Sequence, residues 1–417
     1  MKPTVKPARG IYAFAALNAA LTLLFALIRY LTRAHHFGPH ANGVPVYHRN
    51  FADLLDFTTQ FRYFHQPAFF HQTSVFVYPA PLAVVYRFFF LFGNQAAAAF
   101  AVVLLLVFVT AAILFARALM RRGLDTLPAV VLSALALLFA WPVWFCLKQG
   151  NMEFVLFAFF AVGLCAFLRG KSLLAATCFG VAGVMKIYPL IFLGLLLATR
   201  RYRAFFFGLA IAAATLLLSL WLVCPDIAVS WHGMITGLGS FRGDYILRYQ
   251  TAQSGLDHSL FGLVKLAFAT LGHFGFLHNA ERMNHLTIAY VVVAALAGLT
   301  LWIVCIRHLP VTNQVLALTV AAILLPPVSV EYTLMHLYLP WAMLVFIALQ
   351  GRESQSAARG PLLLAFVLLG VLLSPLTELW LLGWGLAGEL KAVLLLLLFA
   401  ISLKIPLPGS ESAASPS

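Results

Sequence analysis

The sequence predicts an all-α, polytopic integral membrane protein, and three observations carry that prediction. The chain is 63% hydrophobic and only 10% charged, with a mean hydropathy of +0.95, whereas soluble domains are about half apolar and a quarter charged. Apolar stretches long enough to cross a bilayer as helices recur along most of the 417 residues. Because a helix satisfies its own backbone hydrogen bonds in lipid, these stretches indicate membrane-spanning helices.

We predict about 10–12 transmembrane helices in a single domain over residues 1–407. The longer apolar stretches are 11–31, 96–118, 127–146, 151–168, 204–223, 287–306, 334–350, 360–377 and 388–405. Shorter ones lie at 172–184, 187–199 and 313–327, and 79–93 is typical of a re-entrant or interfacial helix. The Ser-rich segment 408–417 is predicted to be a disordered cytoplasmic tail.

Basic residues in short connections predict the orientation, because Lys and Arg prefer the cytoplasmic side. The segments 121–122, 169–171 and 200–203 fall on one side if about twelve spans are assumed, which makes both termini cytoplasmic. The long loops 32–78 and 224–285 then lie outside. Their mixed aromatic and polar residues favour interfacial helices, and we expect function there.

The formal charge of +14 reports this topology and contact with anionic membrane lipids; it does not indicate nucleic acid as a partner. A metal site at His36 and His40 is disfavoured, because Gly38 and Pro39 break the helical spacing and no acidic residue joins them. The five cysteines show no CxxC pair and no disulfide framework.

Two carboxylates stand out in the first external loop. Asp53 and Asp56 are separated by three positions, so they share one side of a helix just beyond the first span. They suit either a helix cap and solvated helix start, or a general base and substrate ligand beside the membrane.

A second polar group lies at the outer ends of later spans. The stretch KQGNMEF supplies Gln149, Asn151 and Glu153, and Lys186 lies in an apolar segment that must turn near it. Ionisable residues at membrane depth are costly and usually line a wet cavity. Lys186 therefore either snorkels to lipid headgroups or binds a phosphate or carboxylate.

These segments occur in an order that resembles the GT-C-type, polyprenyl-phosphate-sugar-dependent glycosyltransferases, with glycosyltransferase family 87, the alpha-mannosyltransferase-like group, as the closest likeness. The similar segments are ADLLDF (52–57), VYPAPLAVVYRFF (77–89), KQGNMEFVLF (148–157), MKIYPLIFLGLLLATRRYRA (185–204), LDHSLFGLVK (256–265) and LPPVSVEYTLMHLYLP (325–340). The second departs from the family's Tyr-Pro-Pro, and the last lacks its Trp and paired His.

The resemblance implies inverting transfer of a hexose, mannose in the family's usual case, from a polyprenyl-phosphate donor to an extracytoplasmic glycolipid or glycan acceptor. It implies no cofactor and no required metal. The location expected from the family is the bacterial plasma membrane, with the active site facing outward. A pentose or another hexose, the acceptor, the lipid length and the oligomeric state stay open.

Site residues follow from the same resemblance. Asp53 is the first choice for the base that takes the acceptor proton, with Asp56 as the alternative base or a second substrate ligand. Candidates for the donor phosphate are Lys186, Arg242, Arg248 and His336. Candidates for other substrate contacts are Tyr78, Gln149, Asn151, Glu153, Tyr188, His258, Ser259 and Glu331.

Two other functional classes fit the sequence less well. Adjacent Asp257, His258 and Ser259 do not make a hydrolase triad, because three consecutive side chains cannot easily face one point. A multi-pass transporter or lipid flippase also carries many spans and buried charge. Such proteins often show two related halves with polar groups near the membrane midplane, whereas in this chain the polar residues gather at one face.

Overall fold

A computed structural model describes residues 9–34, 54–64, 76–247, 256–349, 356–375, 387–404 and 407. Within these ranges the chain is helical and contains no β-strand. The all-α prediction is confirmed.

In chain order the described α-helices are α1 (Arg9–Ala34), α2 (Leu55–Phe64), α3 (Ala80–Phe90), α4 (Ala96–Arg121), α5 (Thr126–Leu137), α6 (Trp141–Gln149), α7 (Glu153–Leu168), α8 (Ser172–Met185), α9 (Leu193–Ala198), α10 (Tyr202–Val223), α11 (Ile227–Phe241), α12 (Leu260–Thr270), α13 (Phe274–Leu277), α14 (Ala280–Val304), α15 (Val311–Leu324), α16 (Tyr338–Leu349), α17 (Ser356–Leu372) and α18 (Ala387–Lys404). Two 3-10 helices matter for the site, Tyr188–Phe192 and Glu331–Leu337.

Several of these helices are long and apolar enough to cross a membrane. In the described ranges four qualify: Gly93–Arg121, Tyr202–Val223, Ala280–His308 and Glu331–Leu349. The bent pair α5 and α6 adds a fifth if it is one span, and shorter apolar helices of 10–17 residues accompany them. The polytopic membrane class is confirmed. A total of about 10–12 spans stays a prediction that depends on those shorter helices.

The stretch 127–146, predicted as one span, is divided into α5 and α6, which are bent by 43°. Ala140 is extended between them (φ −82°, ψ 142°), and Pro142 lies in the first turn of α6. Proline is well tolerated there because the first-turn N–H groups have no partner within the helix. The bend starts a new helix that leads into Gly150 and Asn151.

The predicted hairpin around Lys186 is present. Helix α8 ends at Met185, Lys186 is extended (φ −147°, ψ 135°), and the Tyr188–Phe192 3-10 helix leads into α9. Pro189 lies in the first turn of that 3-10 helix, where a missing N–H costs little. The turn therefore places Lys186 at a helix break, where its extended backbone directs the side chain differently from a helical residue.

Both predicted external loops contain helices. The first carries α2, and the second carries α11, a π-helical turn at Arg242–Ile246, and the helices α12 and α13. Their position at the membrane interface stays a prediction.

One aromatic side chain of helix α2 lies deep in the apolar core. The ring of Phe57 is 1% exposed, and its centroid lies 4.9 Å from that of Phe100 and 5.2 Å from that of Phe90. Burial of one such ring stabilises the contact by about 1.5–3 kcal/mol. The short, polar helix is thus anchored to the apolar core next to its own carboxylate, Asp56.

Candidate active site

A left-handed glycine brings α2 close to the start of α7. Gly150 ends α6 with φ +69°, a conformation in which a side chain is strained. A Cβ at Gly150 would lie 2.5 Å from Cβ of Phe57 and 3.2 Å from Cβ of Leu54. No larger residue fits this crossing, which sets Asp56 opposite the residue that follows the glycine.

That following residue, Asn151, bridges a carboxylate and an ammonium. Its Nδ2 donates to Oδ2 of Asp56 at 2.9 Å, and its Oδ1 accepts from Nζ of Lys186 at 3.3 Å. Oδ1 also accepts from the backbone N–H of Glu153 at 3.1 Å. Since each end of the amide meets a group of the matching type, the amide is fixed between the carboxylate and the ammonium.

The ammonium of Lys186 is paired with a buried carboxylate. Nζ of Lys186 contacts Oε2 of Glu153, whose side chain is fully buried, while the Lys186 side chain is 15% exposed. Removing either member of a buried ion pair leaves an uncompensated charge. Glu153 therefore fixes a cation that still reaches solvent.

The other oxygen of Glu153 has two further partners. Oε1 lies 2.7 Å from Nε2 of His336 and also accepts from the hydroxyl of Tyr188, which is itself 3.0 Å from Nε2 of His336. The His336 ring packs on that of Phe160 with centroids 4.8 Å apart. We call the connected set the Asn151 cluster; its members are Asp56, Tyr78, Asn151, Glu153, Lys186, Tyr188 and His336.

Asp56 is partly exposed, and its electrostatics suit proton transfer. Burial raises the pKa of its carboxyl above the ordinary value, and this outweighs the hydrogen bond from Asn151, the charge of Lys186 and the hydrogen bond from Tyr78, all of which lower it. The Tyr78 hydroxyl lies 3.5 Å from Oδ2 of Asp56 and accepts from Nδ2 of Asn151 at 3.0 Å. A carboxylate with a raised pKa is a stronger base.

Aromatic faces flank the ammonium. Nζ of Lys186 lies 4.8 Å from the ring centroid of Tyr332 and 5.8 Å from that of Tyr78. Cations are attracted to such faces within about 6 Å. The cluster therefore offers a proton acceptor at one end and a cation with aromatic walls at the other, an arrangement suited to base catalysis beside a bound anion.

A second group of polar side chains is buried in the protein. We call it the Glu331 cluster; its members are Asp257, His258, Ser329, Glu331, Thr333 and Lys391. All are buried, with Glu331, His258 and Lys391 at 0% exposed. Nζ of Lys391 donates to Oε2 of Glu331 at 2.7 Å and to the carbonyl of Ser374 at 3.0 Å.

The remaining contacts of the Glu331 cluster fasten the loop before α12 to the segment before α16. Oδ1 of Asp257 accepts the backbone N–H groups of Ser259 and Ser329, each at 3.0 Å. His258 Nε2 lies 3.1 Å from the Thr333 hydroxyl, which lies 3.0 Å from that of Ser329. Asp257 thus fixes backbone groups, and the other contacts join side chains of the same two segments, which is a structural use of buried polar groups.

The predicted site residues divide accordingly. Tyr78, Asn151, Glu153, Tyr188 and His336 are brought together with Asp56 and Lys186. His258 and Glu331 lie in the buried cluster, and Ser259 caps α12 by accepting the N–H of Gly262 at 2.9 Å. Those three do not contact the Asn151 cluster through the described hydrogen bonds, so a direct substrate contact stays a prediction.

The other candidates show no hydrogen bond to the Asn151 cluster among the described contacts, or they lie outside the described residues. Arg242 donates to the side-chain oxygen of Asn284, and Gln149 is partly exposed at the end of α6. Asp53 and Arg248 lie outside the described residues, as do His36 and His40. Among the described residues no group of three His, Cys, Asp or Glu side chains is arranged to hold a metal ion. That the reaction needs no metal stays a prediction.

Sequence reasoning missed Tyr332 and Lys391. Tyr332 is adjacent to the predicted Glu331, so only its contact with Lys186 was unforeseen. Lys391 had a signal, because it and Glu389 are charged residues at the start of the otherwise apolar stretch 388–405.

Comparison with known proteins assigns the family. No curated protein and no solved structure gives a significant match to this chain. The family model for glycosyltransferase family 87 matches residues 76–329, a range that holds Tyr78, Asn151, Glu153, Lys186 and Tyr188. More than half of the 417-residue chain is covered, so this protein belongs to glycosyltransferase family 87.

Proposed function

We propose that this chain transfers a hexose, mannose in the first instance, from a polyprenyl-phosphate donor to a glycolipid or glycan acceptor, with inversion at the anomeric carbon. The reaction takes place at the extracytoplasmic face of the bacterial plasma membrane and uses no cofactor or metal. Family membership supports sugar transfer. The observation that carries the finer assignment is Asn151, which holds a carboxylate and a cation on opposite ends of one amide.

Asp56 is the general base in this proposal. The acceptor hydroxyl oxygen attacks the anomeric carbon, and its proton passes to the Asp56 carboxylate. Asp56 is preferred over Glu153 because it is partly exposed, whereas Glu153 is fully buried between Lys186, Tyr188 and His336. Asp53, the first choice from the family resemblance, lies outside the described residues and remains the rival base.

Lys186 is the phosphate-binding cation. As the new bond forms, the bond from the anomeric carbon to the phosphate oxygen breaks, and the electron pair leaves with the lipid phosphate. A pre-placed ammonium stabilises that developing charge without reorganisation. Glu153, Tyr188 and His336 hold the Lys186 side chain and its helix break in place.

The test is an assay of sugar transfer by the purified protein in lipid nanodiscs. A panel of polyprenyl-phosphate mannose, glucose, galactose and arabinose is offered with a membrane glycolipid extract, and free polyprenyl phosphate is measured. Asp53→Asn and Asp56→Asn are compared with Asp226→Asn, a matched variant at the exposed cap of α11.

We expect the wild-type protein to consume one donor. Of the three variants, only Asp56→Asn is expected to stop releasing polyprenyl phosphate. Loss only in Asp53→Asn would preserve the reaction class and reassign the base. If no donor is consumed although the folded protein moves polyprenyl phosphate between leaflets, the glycosyl transfer proposal is wrong and the transporter class takes its place.

A further inference from the structure

We propose that Tyr332 binds the sugar of the donor, its ring taking the C–H face of a pyranose whose phosphate lies on Lys186. This inference rests on the proposed function and names the residue that reads the sugar rather than the lipid phosphate. Tyr332 lies beyond the range 76–329 that matches the family model.

Its position is the first observation. The Tyr332 ring centroid is 4.8 Å from Nζ of Lys186. A ring in that place borders the cation of the Asn151 cluster. In a sugar phosphate the anomeric carbon is joined to the phosphate, so the sugar ring must lie within one ring width of the cation.

Its exposure is the second observation. Within the Glu331–Leu337 3-10 helix, Glu331, Thr333, Leu334 and Met335 are buried, whereas Tyr332 is only partly buried. Tyr332 packs against the hydrophobic core yet keeps some of its surface exposed, next to the cation of the Asn151 cluster.

Its immobilisation is the third observation. The residues on either side are tied to the buried cluster, Glu331 by the 2.7 Å contact with Lys391 and Thr333 by the 3.1 Å contact with His258. The ring also lies 6.2 Å from that of Phe145, tilted by 36°. A binding surface whose neighbours are already fixed loses little entropy when ligand binds.

The chemistry suits a sugar. An aromatic face carries negative charge density. One face of the Tyr332 ring lies under the ammonium of Lys186, and in this proposal the opposite face attracts the slightly positive C–H groups on one side of a pyranose. Two adjacent side chains then bind the two parts of the donor. Lys186 recognises the lipid phosphate, and Tyr332 recognises the sugar joined to it.

The experiment compares binding of two lipids, polyprenyl-phosphate mannose and sugar-free polyprenyl phosphate, to the full-length protein in nanodiscs without acceptor. Tyr332→Leu is expected to weaken binding of the mannosylated lipid roughly tenfold while leaving the sugar-free lipid nearly unchanged. Lys186→Gln, which retains a donor for Glu153, is expected to weaken binding of both lipids.

Two further variants separate sugar contact from general damage. Tyr332→Phe keeps the ring and is expected to keep the preference for the mannosylated lipid. Tyr202→Leu removes a 54% exposed tyrosine at the start of α10, the helix that follows the Lys186 hairpin, and is expected to change neither affinity. Thermal unfolding of each variant confirms that it is folded.

The outcomes distinguish this inference from the proposed function. If wild type binds sugar-free polyprenyl phosphate but Tyr332→Leu weakens both lipids equally, the ring acts only through Lys186 and the inference is overturned while the reaction stands. If wild type binds neither lipid, the proposed function fails and the inference falls with it.

Discussion

The Asn151 cluster and the Glu331 cluster use the same chemical groups to different ends. Each contains a Lys–Glu ion pair, a histidine and an aspartate that accepts hydrogen bonds. In the first, Asp56 and Lys186 are partly exposed and aromatic rings flank the cation. In the second, Glu331 and Lys391 are both fully buried.

The difference teaches that access, rather than residue type, separates chemistry from architecture in this protein. A carboxylate that exchanges a proton with an acceptor must meet that acceptor. A buried ion pair instead specifies which segments pack together, because breaking it leaves a charge without compensation. The Glu331–Leu337 3-10 helix joins the two clusters, since it carries both Glu331 and His336.

The largest expected effect is on the transfer rate, and it distinguishes Asp56 in the Asn151 cluster from Asp257 in the Glu331 cluster. Asp56→Asn should lower the transfer rate by about 10²–10⁴-fold, because a carboxamide cannot take the acceptor proton. Its oxygen still accepts from Asn151, so the melting temperature should hold. Release of polyprenyl phosphate under single-turnover conditions measures the rate.

Asp257→Asn is the matched change in the Glu331 cluster. A carboxamide oxygen still accepts from the Ser259 and Ser329 backbone N–H groups, so the rate per folded molecule should stay at the wild-type level. Equal rate losses in Asp56→Asn and Asp257→Asn would contradict the division between the clusters.

The next effect is on stability. Lys391→Met should lower the free energy of unfolding by about 3–5 kcal/mol, because it leaves the Glu331 carboxylate buried without its cation. Glu331→Gln combined with Lys391→Met removes both charges and should recover most of that loss. Thermal unfolding in nanodiscs measures both variants. A double variant as unstable as the single would show that the pair is not the source of the stability.

A smaller effect is expected at the crossing of α2 and α6. Gly150→Ala should destabilise the protein by about 1–3 kcal/mol, from left-handed backbone strain and from the clash with Phe57. The clash also displaces Asp56, so the rate should fall. Thermal unfolding and the release assay measure the two effects.

Gly93→Ala is the control for that crossing. Gly93 has φ +53° but nothing within 4 Å of its would-be Cβ, so the substitution should bring backbone strain without the clash. Its rate should match wild type. If Gly150→Ala and Gly93→Ala change the stability and the transfer rate equally, the close approach of α2 does not contribute to either property.

The smallest effect is a pH shift. The rate depends on ionised Asp56, so it falls as pH drops through the pKa of that carboxyl, which burial holds above its ordinary value. The Tyr78 hydrogen bond stabilises the ionised form, so Tyr78→Phe should raise this pKa further and move the acid limb to higher pH, by less than about one unit.

The profile of kcat/KM against pH measures that shift. Tyr290→Phe, whose hydroxyl donates to the Leu325 carbonyl at 2.9 Å far from Asp56 in the chain, is the control and should leave the limb in place. A limb that moves to lower pH in Tyr78→Phe would show that the hydroxyl favours the protonated carboxyl.

Much of the fold followed from composition and spacing. Long apolar stretches predict helices wherever they occur, because lipid permits few other backbone arrangements. The break at Lys186 was predictable from the charge pattern on either side of the hairpin. The bend that divides α5 from α6 was not, since its stretch is apolar throughout and the effect of Pro142 depends on where the new helix begins.

The sequence by itself determined the all-α membrane class, the family likeness and most of the polar residues of the Asn151 cluster, because ionisable groups are conspicuous in an apolar chain. Tertiary structure alone decided that Asn151 bridges Asp56 and Lys186, that Glu331 pairs with Lys391 sixty positions away, and that Tyr332 faces the cation. The polarity of a side chain can be read from the residue itself, whereas its burial and its contacts depend on how distant helices pack.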